Sequence, residues 1–150
     1  MGDAPDTTWS VDKGIRNPRR FFSALATIFP DATLFLAEGG NPQAEVAAFY
    51  RTHAAPARAR PKSITRLRWM FAHPCLCSPS FFRELATLAR TRRPAQLLHH
   101  LAVYQGDRQI IDWHDAFANA ILLDGALPEA TVAALSRRFG VRYGRARVRG

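Results

Sequence analysis

Four consecutive residues of types that occur in polar active sites lie in the C-terminal third of the sequence, Asp112-Trp113-His114-Asp115. In an extended strand, Asp112 and His114 share one face and Trp113 lies on the other. An Asp–His pair can orient an imidazole as a general base, and it can equally form a hydrogen-bonded corner. No nucleophile, phosphate-binding glycine loop or oxyanion motif lies nearby in the sequence. We therefore interpret the motif as a structural corner and assign no catalytic residue. An enzyme with an Asp-Trp-His-Asp site is kept as an alternative.

A second group of reactive residue types is His73-Pro74-Cys75-Leu76-Cys77. Imidazole and thiolate are ligands that zinc accepts. One residue separates Cys75 from Cys77, whereas a tight zinc knuckle needs two, and a fourth ligand would have to come from His99 or His100. We predict buried structural cysteines, no metal site and no cofactor, and zinc binding by this segment stays an open alternative.

The charge of the chain is strongly positive, with 21 Lys+Arg against 12 Asp+Glu and a net charge of +9. Arginine-rich composition can also reflect coding bias, but the excess over acidic residues is real. It favours an acidic partner, either a protein or a nucleic acid.

The cations are clustered along the chain. One cluster holds Arg51, Arg58, Arg60, Lys62, Arg66 and Arg68. A second holds Arg142, Arg145, Arg147 and Arg149. We predict a binding surface formed by Arg58, Arg60, Lys62, Arg66, Arg68, Arg145 and Arg147. The alternative is a solvated edge strand that its charges protect from aggregation.

Helix signals recur along the sequence. Asn17-Pro18 opens a helix with an apolar stripe from Phe21 to Phe29, and Asn41-Pro42 and Ser78-Pro79 open two more. Pro128 opens a fourth helix, which Gly140 ends.

Strands are predicted over 32–37, 64–71, 97–104 and 108–113, with a further edge strand within 141–150. Gln105-Gly106-Asp107 is typical of a hairpin turn. Helices between strands favour partly parallel pairing. The predicted fold is an α/β (α+β) single domain over 17–150, a mixed sheet of four to five strands with about four packed helices. Residues 1–16 are expected to be a loose leader.

The length of 150 residues fits one domain with its own core. No run of about 18 apolar residues occurs, so we expect no membrane helix. The polar, acidic start at Met1–Asp6 differs from a secretory signal, and closely spaced cysteines agree with a reducing compartment. A cytoplasmic location is therefore expected.

Residues 100–117 and the following Leu127-Pro128-Glu129 resemble a recurring pattern in small bacterial α/β proteins. In that pattern an apolar hairpin runs into a Trp-His-Asp-Ala-Phe corner and then a helix. Some of these proteins are similar to immunity proteins, which neutralise a partner toxin. The resemblance covers about the C-terminal third of the chain. Immunity proteins that face nucleases are usually acidic, so the positive charge here favours an acidic target instead.

These features together predict a non-enzymatic cytoplasmic binding protein, immunity-like or regulatory, that docks an acidic protein, such as a toxin, through arginines. Nucleic-acid binding by the same surface is the alternative, with phosphate contacts that weaken as salt rises.

Overall fold

The computed structural model describes residues 7–62, 64, 68 and 72–147. Four α-helices and seven strands are present in this part of the chain. Their order is β1 (Thr7–Val11), α1 (Pro18–Ile28), β2 (Leu34–Glu38), α2 (Ala44–Thr52), β3 (Ala72–Leu76), α3 (Pro79–Ala89), β4 (His100–Gln105), β5 (Arg108–Trp113), β6 (Ile121–Leu123), α4 (Glu129–Phe139) and β7 (Tyr143–Arg147). None of these helices is long and apolar enough to cross a bilayer.

Local capping chemistry sets most helix boundaries. The Asn17 side chain accepts a hydrogen bond from the Arg20 amide at the start of α1, and Ser78 caps α3 through the Phe81 amide. Gly140 ends α4 with a φ of 63°, in the left-handed region that glycine adopts without strain. The start of α2 is different: its N-cap is Gln43 rather than the predicted Asn41, and the Gln43 side chain makes no capping bond.

The seven strands form one sheet in the order β3-β2-β4-β5-β6-β1-β7, and every pairing in it is antiparallel. The prediction of a mixed sheet with four to five strands was therefore wrong in strand number and in direction. The β4–β5 hairpin is confirmed, with Gly106-Asp107 as its turn.

Strands β1, β3 and β6 were not predicted, and the reason is identifiable for β1 and β3. Thr7–Val11 lies in the segment expected to be a loose leader, yet Trp9 and Val11 are buried against the helices, which corrects that expectation. Its alternation is too short to stand out in sequence. Strand β3 contains Pro74, which argues against a central strand, and β3 is indeed an edge strand.

The outer edge of β3 is partly occupied by the chain itself. The Ala55 amide donates to the Pro74 carbonyl at 2.9 Å, and the Leu76 amide donates to the His53 carbonyl at 2.9 Å. Proline has no amide hydrogen to offer along this edge. At the opposite end of the sheet, β7 pairs with β1 on its inner side, and no described strand pairs with its outer side.

The main core lies between the helices and one face of the sheet. Phe35 is at its centre, in ring contact with Phe22, Tyr50, Phe81 and Phe82. The other face of β2 and β4 carries a smaller apolar cluster of Leu34, Leu36, Ala55, Ile64, Ala102 and Tyr104. One sheet and its helices thus form a single domain.

The predicted strand over 64–71 falls mostly outside the described residues. Arg68, which is described, has α-helical backbone rather than extended backbone, so the strand prediction is wrong at that residue.

Candidate functional site

The predicted Arg58–Arg68 surface is only partly described. Arg58 and Lys62 are exposed and Arg60 is partly buried, while Arg66 lies outside the described residues. The Arg68 guanidinium donates to Glu38 Oε1, through Nη2 at 2.5 Å and through Nε at 3.0 Å. This hydrogen bond to Glu38 raises the pKa of Arg68. Part of the positive charge expected at this surface is therefore neutralised within the chain.

The arginines near the C-terminus lie on strand β7. The Arg145 guanidinium stacks over the Trp9 ring at 3.5 Å from its centroid, and its Nη1 donates to the Gly125 carbonyl at 2.7 Å. Arg147 is paired in register with Thr7. Arg145 thus links β7 to the loop after β6. This structural role could not be predicted from the sequence.

A third group of arginines, which the sequence analysis did not single out, lines a groove of about 300 Å³ between α1 and α3. The lining residues are Arg19, Ser23, Arg83, Ala86, Thr87 and Arg90. Positions 83, 87 and 90 recur at helical spacing on α3, and positions 19 and 23 do so on α1. The opposite faces of both helices bury their phenylalanines, so these polar residues turn outward.

The charge in this groove is not compensated by the described part of the chain. No described carboxylate forms an ion pair with Arg19, Arg83 or Arg90. Glu84, the acidic residue next to Arg83, instead lies 3.4 Å from His53 through Oε2 and Nε2. The sequence could not reveal the groove, because it depends on α1 and α3 packing side by side.

In the cysteine segment, Cys75 is buried, Leu76 is exposed and the other three residues are half-buried. Cys75 is fully buried, its thiol pointing to the Tyr50 carbonyl at 3.6 Å, and Cys77 is partly buried. His73 stacks on the Tyr50 ring with centroids 5.2 Å apart. In the described residues, these three side chains do not form a group that could share a metal ion.

Both thiols are expected to react slowly with iodoacetamide at pH 8, because burial raises the pKa of Cys75 and Cys77 to about 12. Compared with ordinary thiols, roughly a thousandfold less thiolate is then present. Alkylation followed by mass spectrometry, with and without urea, measures this difference. In the unfolded chain the thiols ionise first, so stability is expected to fall as pH rises above about 8.5. Equally fast labelling of folded and unfolded chain would contradict the prediction.

The Asp112–Asp115 motif forms a corner at the end of β5. Trp113 is fully buried, and its Nε1 donates to the Asn119 carbonyl at 2.9 Å. Asp115 and Phe117 adopt positive φ values of 48° and 71°, which non-glycine residues seldom do. The predicted Asp112–His114 pair is loose, with Oδ1 and Nε2 3.5 Å apart.

This corner brings together histidines that the sequence did not group with it. His99 Nε2 lies 3.0 Å from Asp115 Oδ1, and the Asp115 amide donates to His100 Nδ1 at 2.8 Å. The His114 ring lies 5.1 Å from the His100 ring. In sequence, His99 and His100 precede the hairpin and Asp115 follows it, so the antiparallel pairing of β4 with β5 is what joins them.

No family model, curated protein or solved structure matches the chain. The similarity of residues 100–117 to immunity proteins remains a prediction.

Proposed function

We propose that the chain is a binding protein, immunity-like or regulatory, that docks an acidic segment of a protein partner in the basic groove between α1 and α3. The observation that carries this proposal is the groove itself, where Arg19, Arg83 and Arg90 meet without a described carboxylate beside them. We use "basic groove" for these three residues with Ser23, Ala86 and Thr87.

Positive charges that lie close together repel one another, and an anion bound between them offsets this repulsion. A guanidinium offers a planar fork of donors that pairs bidentately with a carboxylate. Arg19 approaches from α1, whereas Arg83 and Arg90 approach from α3, so an extended acidic segment lying between the helices could contact both sides. Such contacts are expected to be sensitive to salt, because the groove is open to solvent.

The lining of the basic groove favours an acidic protein over a nucleic acid. No aromatic side chain is among the lining residues in the described part of the chain. Proteins that bind single-stranded nucleic acids use aromatic rings on which bases stack. The predicted Arg58–Arg68 surface is a weaker candidate, since Glu38 already pairs with Arg68.

Binding to a fluorescent poly-glutamate peptide tests the proposal. The triple variant Arg19→Glu/Arg83→Glu/Arg90→Glu is expected to bind at least about tenfold more weakly, which corresponds to roughly 0.5 kcal/mol per exposed charge contact. The matched control is Lys13→Glu/Arg137→Glu/Arg142→Glu, which makes the same change of charge at exposed positions outside both the basic groove and the predicted Arg58–Arg68 surface. Fluorescence anisotropy at two salt concentrations gives the affinities, and circular dichroism confirms that each variant folds.

An equal loss in both triple variants would show that net charge alone drives binding, and would overturn the proposal. Tighter binding of the unmodified chain to a random-sequence oligonucleotide than to poly-glutamate would overturn it in favour of nucleic acid. A steep log–log dependence of that affinity on salt would accompany the second outcome.

A further inference from the structure

Outside the basic groove, the structure places two imidazoles and a carboxylate in one small volume. His99, His100 and Asp115 each present a donor atom, and these atoms all lie within 4.8 Å of one another. His99 and Asp115 are exposed and His100 is partly exposed. Among the described residues, no other group of three His, Cys, Asp or Glu side chains brings its donor atoms this close together.

The backbone around these side chains is firmly held. The His99 amide donates to the Glu38 carbonyl at 2.9 Å, and the Ala116 amide donates to the His99 carbonyl at 2.9 Å. Gly39 and Gly40 have φ values of 64° and 77°. A Cβ on Gly39 would lie 3.1 Å from His99 Cβ, so the turn after β2 lies directly against this histidine.

The donor separations fit a metal ion of small radius. His99 Nε2 and Asp115 Oδ1 are 3.0 Å apart. Two ligands bound to tetrahedral zinc at about 2.0–2.1 Å would be roughly 3.3 Å apart. A zinc ion can therefore bind both atoms after a small displacement of the side chains. Rotation of the exposed side chains brings the third donor atom, from His100, within bonding distance.

The third ligand is His100. Its Nδ1 accepts the Asp115 amide hydrogen at 2.8 Å, so this nitrogen carries a lone pair that points toward the corner. A metal ion bound there would replace that hydrogen bond with a coordinate bond. Asp115 has a φ of 48°, and it contacts one histidine through its amide and the other through its carboxylate.

We propose that His99, His100 and Asp115 form a binding site for a divalent transition-metal ion of the zinc type, with three protein ligands and an open fourth position. Two imidazoles and one carboxylate suit zinc and its neighbours, whereas magnesium and calcium prefer ligand sets made of oxygen alone. The site lies at the β4–β5 corner and does not depend on the basic groove.

Isothermal titration of the chelator-treated full chain with Zn²⁺ alone tests the site. One ion is expected to bind per chain at pH 7.5. His99→Ala and Asp115→Asn are each expected to weaken binding by at least about tenfold. Asparagine tolerates positive φ, so the second variant keeps the corner while removing the carboxylate charge.

Two controls separate this site from others. His53→Ala removes a histidine that also faces an acid, Glu84, but has no third donor among the described residues, and zinc affinity is expected to stay unchanged. Cys77→Ser tests the cysteine segment and is also expected to change nothing. The visible absorption of Co²⁺ in place of zinc reports the coordination number independently.

The proposal is overturned if zinc binds below one ion per chain, or if Cys77→Ser abolishes binding. It is also overturned if His53→Ala weakens binding as much as His99→Ala does. Circular dichroism of each variant distinguishes lost ligands from lost folding.

Discussion

Replacing Trp113 by alanine is expected to destabilise the chain by about 4 kcal/mol, within the range for truncating a large buried aromatic residue. Trp113 is fully buried and packs on Phe21 and Phe117, with ring centroids 4.8 Å and 4.7 Å away. Alanine would leave a cavity among these rings and would free the Asn119 carbonyl from its donor. Urea denaturation followed by fluorescence or circular dichroism measures the loss through the shift in midpoint.

Trp113→Phe is the matched comparison, because phenylalanine keeps most of the apolar contact but lacks the indole N–H. It is expected to cost about 1–2 kcal/mol, from the smaller ring and the lost hydrogen bond to the Asn119 carbonyl. Equal destabilisation by the two variants would contradict the assignment of the larger effect to packing.

Gly125→Ala is expected to destabilise the chain by about 3 kcal/mol, at the upper end of overpacking costs. A Cβ at position 125 would lie 1.8 Å from the Thr7 carbonyl oxygen, which is backbone and cannot rotate away. The Gly125 carbonyl also accepts the hydrogen bond from Arg145. Displacing this loop would therefore disturb β1 and β7 together, and thermal or urea unfolding measures the cost.

Gly144→Ala is the control for this prediction. Gly144 lies on β7, and a Cβ there would meet no atom within 4 Å. This variant is expected to change the free energy of unfolding by less than about 0.5 kcal/mol. If both substitutions were tolerated alike, the close approach of Gly125 to β1 would be wrong.

Features of the fold that depend on neighbours in sequence could be predicted. Asn17 and Ser78 cap helices through amides three residues away, and Gly140 ends a helix by its own backbone freedom. Strand direction could not be predicted in this way. Strand direction depends on which strands become neighbours in the sheet. The packing of the shared core determines which strands do so.

The candidate sites show the same limit. The sequence suggests a site at Asp112, His114 and Asp115 because these residues lie within four positions of one another. In the structure, Asp115 makes its closest polar contacts with His99 and His100 across the hairpin. In the basic groove, Arg19 lies more than sixty residues before Arg83 and Arg90 in the sequence, and the packing of α1 on α3 brings it beside them. The spacing of Arg83 and Arg90 by seven residues predicts that they share one helix face, but the sequence does not show that Arg19 lies opposite them.

The unequal edges of the sheet restrict how copies of the chain can join. At β3 the stretch His53–Ala55 occupies the middle of the edge, and Pro74 offers no amide hydrogen. Head-to-tail growth of a continuous sheet needs two open edges, and in the described part of the chain β7 supplies one. Pairing of β7 with its own copy is isologous and closes at two molecules. In the described part of the chain, the partly covered β3 edge therefore disfavours head-to-tail addition of further copies through the sheet.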